Sequence, residues 1–286
     1  MTAFTIVLPT TADRGCTLEQ VLPLICLQSV QDWELFVIGD GVDADTRAVL
    51  HAWCQRDPRI RFFDHPKHER RGETYRHAAL QEACGRCVAY LTDRDLWLHD
   101  HLASLDGLLQ HHAFAHTERI DITPDGRPRP SMRCDLGNPA QRRAIERFGS
   151  MPIGLSTVGH TLDAYHRLPW GWRTTPKDRK TDHYMWHQFL REGGASACSG
   201  RTATVLYFNR GDHPGWPSAQ RAAELARWRQ MLANVEAQER WRQTAASGLD
   251  APWARLQSAW RSWLFFHRGI RDPYLRWRRR LKAWRS

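Results

Sequence analysis

With 286 residues, 42% of them hydrophobic and 25% charged, the chain is long enough for one large α/β domain plus an appendage, and its composition excludes a disordered or low-complexity protein. No run approaches the roughly 18 apolar residues of a membrane span, and MTAFTIVLPTT lacks the basic region and cleavage site of a signal peptide, so a first strand in a cytoplasmic protein is expected. The net charge is +10, but residues 251–286 hold ten Lys or Arg against the single acid Asp272. The body is therefore nearly neutral, and the basic total alone does not argue for nucleic acid.

The first hundred residues alternate short apolar runs with amphipathic stretches. Strands are predicted at 4–9, 33–39, 59–64 and 87–91, and helices at 18–30, 45–54 and 72–85. This alternation implies βαβ units and a mostly parallel sheet flanked by helices, which binds ligands at the carboxyl ends of its strands. Further along, 113–133 reads as two strands around the turn Pro124-Asp125-Gly126, and 139–148 as a helix. MPIGLST leads to His160, and a Trp/Gly/Pro-rich loop (168–180) precedes a helix beginning at Thr181 or Asp182 and stopping at Gly193-Gly194. A strand at 202–208 and one amphipathic helix at 221–241, with Leu225, Trp228, Leu232 and Val235 on one face, complete the body.

Several strands deliver polar groups to one rim. Strand one ends in Pro9-Thr10-Thr11, strand two in Asp40, and strand four runs into LTDRDLW with Asp93, Arg94 and Asp95. A cap or a turn accounts for any one of these, including Asp95 as the cap of a helix starting near Trp97. Their convergence on one rim points to a ligand site. The seven cysteines (16, 26, 54, 84, 87, 134 and 198) are odd in number and scattered, as suits a reducing compartment. Cys84-Gly-Arg-Cys87 follows a helix instead of opening one, so it lacks the dipole that activates a redox pair, and no second CxxC offers a zinc site.

The segments strand–PTT, WELFVIGDGVDADT, DPRIRFF, RRGETYRHAALQEACG and VAYLTDRDLWLHDHL together resemble the GT-A glycosyltransferases of the large family-2 type. The resemblance is close over residues 3–110 and looser to about 210, through WGWRTTPKDRKTDHYMW. It implies a GT-A (Rossmann-like) domain over 1–215, with a nucleotide-sugar half at 1–110 and an acceptor half at 111–215. It also implies transfer of a sugar from a nucleotide-diphosphate donor with inversion, to a glycan or lipid-linked acceptor, in bacterial surface-polysaccharide or lipopolysaccharide assembly. In such a protein Pro9, Thr10, Thr11 and Asp40 would hold the nucleoside, while Arg76, Asp93 and Arg94 would lie at the phosphates. Mn²⁺ or Mg²⁺ would act as the Lewis acid, held by Asp93 and Asp95, with His213 as a third ligand. Asp182 would be the base that deprotonates the acceptor, or else the N-cap of its helix. Relatives carry an acid at the position of Arg94. Its guanidinium would pair with the two carboxylates, point away, or contact the pyrophosphate and reduce the need for metal. His160 is a further candidate on the acceptor side.

A nucleotidyltransferase shares this architecture, but LPTTADRG is a poor match to its Gly-rich basic loop. A non-catalytic nucleotide-sugar- or glycan-binding protein is the alternative that Arg94 raises. The segment 216–250 is expected to be a helix packed on the body. In 251–286, Trp253, Leu256, Trp260, Trp263 and Leu264 fall on one helical stripe and Tyr274, Trp277, Leu281 and Trp284 on a second, with Arg and Lys opposite. Such a tail suits an anionic membrane surface, so the protein would lie peripherally on the inner face of the membrane. Packing of the aromatics on the body and nucleic-acid contact are the other two readings.

Overall fold

In the computed structural model, residues 2–148, 151–192, 196–209, 214–249 and 251–267 are described. β1 (Phe4–Thr11) lies between β2 (Trp33–Asp40) and β4 (Cys87–Tyr90), and β3 (Ile60–His65) flanks β2, all parallel. Alternate residues of each strand face opposite layers. Ile6, Leu35, Val37 and Ala89 pack with Leu18, Leu22 and Ile25 of α1 (Gly15–Cys26). Val7, Phe36, Ile38, Val88 and Tyr90 face the other way, onto Ala79 and Leu80 of α3 (Glu73–Leu80). α2 (Ala44–Arg56) opens on Asp43, whose side chain accepts from the Thr46 amide. The βαβ expectation holds across this half, with sheet order β3-β2-β1-β4.

Beyond β4 the sheet becomes mixed. β8 (Val158–Thr161) is antiparallel to β4 and to β6 (Phe114–Ile122), and β9 (Ala197–Phe208) runs parallel to β6. β7 (Pro128–Pro130) closes a hairpin on β6 around the predicted turn. β5 (Leu96–Trp97) pairs with β9 at the far edge, so the residues after Asp95 are extended and no helix begins near Trp97. The helix there, α4 (His101–Leu109), starts four residues later. α5 (Pro139–Phe148), the short α6 (Leu162–His166) and α7 (Thr181–Glu192) pack into the same core cluster as Val88 and Tyr90 of β4. Gly193-Gly194 lie outside the described residues.

The single helix expected over 221–241 is two, α8 (Ser218–Met231) and α9 (Val235–Leu249). The cause is Asn234, whose side chain accepts from the Ala237 amide at 2.9 Å and so caps a new helix. Leu225, Trp228 and Leu232 join the same core as α1, while Val235 is exposed. α10 (Pro252–Phe266) packs through Ala254, Ser258, Ser262 and Leu264. Ser258 donates to the Ser131 carbonyl at 2.6 Å, and Ser262 accepts from the Arg133 amide at 2.8 Å. The tail stripe is therefore split: Leu264 is buried, whereas Trp253, Leu256, Trp260 and Trp263 are 66%, 71%, 50% and 38% exposed. The second stripe, from Tyr274 to Trp284, lies outside the described residues. Among those described, no helix is long and apolar enough to cross a membrane.

Candidate active site

The parallel registers align the polar strand ends. Thr11 pairs with Asp40, Asp40 with His65, and Val7 with Tyr90, which places Asp93 level with Thr10 three residues on. Thr10 Oγ1 donates to Asp93 Oδ2 at 3.4 Å. The chain leaves β1 toward β2 on one side and returns to it at β4 on the other, the arrangement that opens a crevice at the strand carboxyl ends. A cavity of about 330 Å³ occupies this crevice. Pro9, Thr10, Thr11, Asp40, Arg76, Asp93, Arg94 and Asp182 all line it. Asp95 does not, and His213 lies outside the described residues. Lys67, Arg70, Arg71, Thr92, Leu155 and Thr181 also line it; the sequence marks Thr181 only as a possible helix start and none of the six as a site residue.

Asp40 organises one wall. Its Oδ2 meets Lys67 Nζ at 2.6 Å and its Oδ1 accepts the His68 amide at 2.6 Å, leaving further lone pairs for a ligand. Two glycines make this approach possible. Gly41 has φ +68°, and a Cβ there would stand 2.8 Å from Lys67 Cβ; Gly72 has φ +64° and opens α3 against Asp40. The next residue, Glu73, is fully buried, accepting the Arg71 amide at 3.0 Å and the Thr175 amide and Thr181 hydroxyl at 3.4 Å each. Burial works against its charge, but these hydrogen bonds and Arg76 outweigh it, and its pKa falls below the usual glutamate value. Glu73 thus ties the 70–72 turn to the start of α7. The GET of RRGET was the available signal for it.

The three residues of DRD have three different fates. Asp93 faces the cavity, with Arg14 Nε 3.2 Å from Oδ2 and Arg94 Nη1 3.7 Å from Oδ1. Arg94 lines the cavity too; burial disfavours its charge, Asp95 and Asp93 more than restore it, and its pKa is raised. Asp95 is 1% exposed and turned into the core, its Oδ2 accepting from Ser156 at 2.6 Å and its Oδ1 from the Phe208 amide at 3.2 Å. Asp93 lines the cavity and Asp95 does not, and both Asp95 oxygens are engaged by Ser156 and Phe208, so the pair does not fit a cation chelated by both. Among the described residues no three His, Cys, Asp or Glu side chains cluster as a metal site.

Arg76 is 3% exposed and lies 4.4 Å over the Trp172 ring, with Nη2 donating to the Arg71 carbonyl. Burial pulls its pKa down, opposed by Glu73, Tyr90, Asp182 and Asp40. The Nε atoms of Arg76 and Arg94 are both buried without a hydrogen-bond partner. Two unpaired guanidinium N–H groups at one cavity are what an anionic ligand would satisfy. His160 belongs to the scaffold instead. It is fully buried, bonded to Tyr90 Oη at 2.8 Å and to the Thr161 carbonyl at 3.0 Å, and burial pushes its pKa down to about 3. Tyr90 Oη in turn accepts from Trp172 Nε1 at 3.0 Å, which fixes the ring under Arg76. Cys84 and Cys87 are free thiols, one exposed and one buried, and burial raises Cys87 to about 11.

A second cavity of about 480 Å³ adjoins the first, and Arg70, Arg71, Thr181 and Asp182 line both. Asp182 does not cap α7. Lys180 precedes the helix and its backbone carbonyl accepts from the Tyr184 amide at 2.9 Å, so Asp182 lies inside the first turn, half-buried.

The sequence model for glycosyl transferase family 2 matches residues 5–159, more than half of the chain. The chain belongs to glycosyl transferase family 2. No curated protein matches it. Among solved structures, residues 1–349 of TarS from S. aureus, in complex with UDP-GlcNAc, are similar with a TM-score of 0.58 and 13% identity, over 92% of this chain and 80% of that one. TarS itself is matched with a TM-score of 0.53 and 13% identity over 80% of this chain, which spans only 40% of TarS. A mannosyltransferase from Pyrobaculum calidifontis, in complex with GDP-Man and Mn²⁺, gives 0.51 and 16% over 89% and 72%. At such identities these likenesses show the GT-A fold. The family-2 match adds membership, and the strand-end cavity lies in the part it covers except for Thr181 and Asp182.

Proposed function

We propose that this family-2 protein transfers a sugar, with inversion, from a nucleotide-diphosphate donor bound in the 330 Å³ cavity to an acceptor bound in the adjoining one. The observation that carries the reading is the position of Asp182, which lines both cavities, where a base must stand to take the acceptor proton beside the donor. Pro9, Thr10, Thr11 and Asp40 hold the nucleoside end. Arg76 and Arg94, each with an unpaired buried Nε, take the diphosphate and its growing charge as the sugar leaves. Arg14 fixes Asp93, and Arg94 is the cation at the position where relatives carry an acid. Mn²⁺ or Mg²⁺, as in the Pyrobaculum enzyme's complex, would have Asp93 without Asp95 to hold it here, and would add Lewis-acid charge at the phosphates.

The reading extends to place. The acceptor is a glycan or a lipid-linked glycan of bacterial surface-polysaccharide or lipopolysaccharide assembly, reached from the cytoplasmic side. Residues 1–215 form the catalytic unit, 216–250 brace it, and 251–286 contact an anionic membrane surface. The outward Trp253, Leu256, Trp260 and Trp263 support that last point. Asp182→Asn tests the mechanism: transfer is expected to fall by about 10²–10⁴-fold, the usual range for a lost general base, with donor affinity retained. Unimpaired turnover in that variant would remove Asp182 from the chemistry.

A further inference from the structure

The second cavity is far more basic than a neutral sugar requires. Arg70, Arg71, Arg119, Lys177, Arg179 and Lys180 line it, and Asp182 is the one acid among its lining residues. Two of these cations have acidic neighbours: Arg119 pairs with Asp121 at 3.0 Å, and Arg179 with the exposed Asp178 at 3.7 Å. The other four make no ion pair among the described residues. Arg70 is spent structurally without being neutralised, since its Nε donates to the Thr175 carbonyl at 2.9 Å and its Nη2 to the Pro176 carbonyl at 3.2 Å. Those bonds pin the loop that carries Lys177 and Lys180. α7 adds its N-terminal dipole, because Thr181, Asp182 and His183 of its first turn also face the cavity. Four uncompensated cations and a helix N-terminus would repel one another at a cavity meant for hydroxyl groups alone.

Resting on the transferase reading above, we infer that the acceptor is itself anionic and carries a phosphate group seated in the second cavity between the 177–180 loop and Arg70 and Arg71. A phosphate suits this cluster better than a single carboxylate. It brings up to two charges and three acceptor oxygens, and guanidinium groups meet it in a forked, directional way. Arg71 and Arg70 also line the donor cavity, so they hold the acceptor phosphate close enough to orient the neighbouring hydroxyl toward Asp182. Met132, Met151, Ile153 and Phe265 give the same cavity an apolar side. Phe265 comes from α10, whose outer face carries the exposed tryptophans, so both a soluble and a lipid-linked phosphate have a physical route in.

The test uses the full-length protein saturated with whichever of UDP or GDP it binds, so that the donor cavity is filled. It is titrated with inorganic phosphate, with glycerol phosphate against glycerol, and with phosphatidylcholine vesicles with and without a polyprenyl phosphate. At least one phosphate-bearing probe should bind about tenfold or more tightly than its neutral counterpart, the size expected for one or two charge-assisted bonds. Lys177→Gln/Lys180→Gln, at two exposed positions that line only the second cavity, should weaken that probe by a similar factor and leave nucleotide affinity unchanged. Preference for the soluble or the vesicle-borne probe identifies the source of the phosphate. Equal binding of neutral and phosphorylated probes overturns the inference, as does phosphate or vesicle binding indifferent to the double variant. Failure to bind either nucleotide would count against the donor reading instead, and the same titrations on the free protein would still decide this one.

Discussion

Arg94 and Asp95 are adjacent, yet one points at the ligand cavity and the other into the core. Asp95→Ala would remove the side-chain acceptor of the Phe208 amide and leave the Ser156 hydroxyl to donate only to Thr92 Oγ1 at 3.4 Å, at about 1–3 kcal/mol for a buried group left unpaired. Urea unfolding should show that loss; a variant of wild-type stability with an altered metal requirement would restore Asp95 to the ligand site. Arg94→Gln is expected to leave stability nearly unchanged and to weaken nucleotide-diphosphate binding by about tenfold or more, read by calorimetry. Glu73 gives a pH signature. Its folded pKa is lowered, so its contribution is full above the ordinary glutamate range and is lost as the pH falls through the folded value. Glu73→Gln should therefore flatten the acid limb of the stability profile and loosen the start of α7. An unchanged acid limb would mean that the carboxylate is not held as described.

At the scale of elements, the parallel half was legible because its signal is local: short apolar runs for strands buried on both faces, strand-end Thr and Asp, and helices of ordinary length. The loop from Lys67 to Gly72 was not. Its cations reach the cavity only because Gly41 and Gly72 adopt left-handed conformations beside Asp40, and no periodicity encodes that. Gly41→Ala should cost about 1 kcal/mol for the positive φ, plus the clash with Lys67, and should lower nucleotide affinity in step with stability. Asn234 broke an apparently continuous helix because capping competes with helix propagation. In α10 the apolar stripe was legible but its direction was not, since small Ala and Ser residues let the helix approach β7 closely and left the rings outside. If that outer face binds lipid, Trp253→Ser/Leu256→Ser should reduce co-sedimentation with anionic liposomes several-fold without unfolding the protein, because both residues are exposed. Unchanged co-sedimentation would remove this helix from membrane contact.

For the whole molecule, buried neutral histidines set the acid limit. His101 and His160 are held down to about 3 and His116 to about 4, in each case chiefly by burial. The unfolded chain takes up protons as the pH drops below about 6.5, while the folded one resists until near those values. Stability should therefore fall steadily from about pH 6.5 downward, which a thermal melt series would show. The charge plan is equally global. A nearly neutral body places Lys67, Arg70, Arg71, Arg76, Arg94, Arg119, Lys177, Arg179 and Lys180 at two adjoining cavities, and the excess of positive charge lies in the tail. The most direct test is hydrolysis of UDP-, GDP- and dTDP-sugars by the wild-type protein, measured with Mn²⁺ and with a chelator. At least one donor should be hydrolysed, and because Arg76 and Arg94 bring two guanidinium groups to the cavity, chelation should cost no more than about tenfold. A wild-type protein inert toward every donor under both conditions would contradict the account and leave a binding protein that kept the fold.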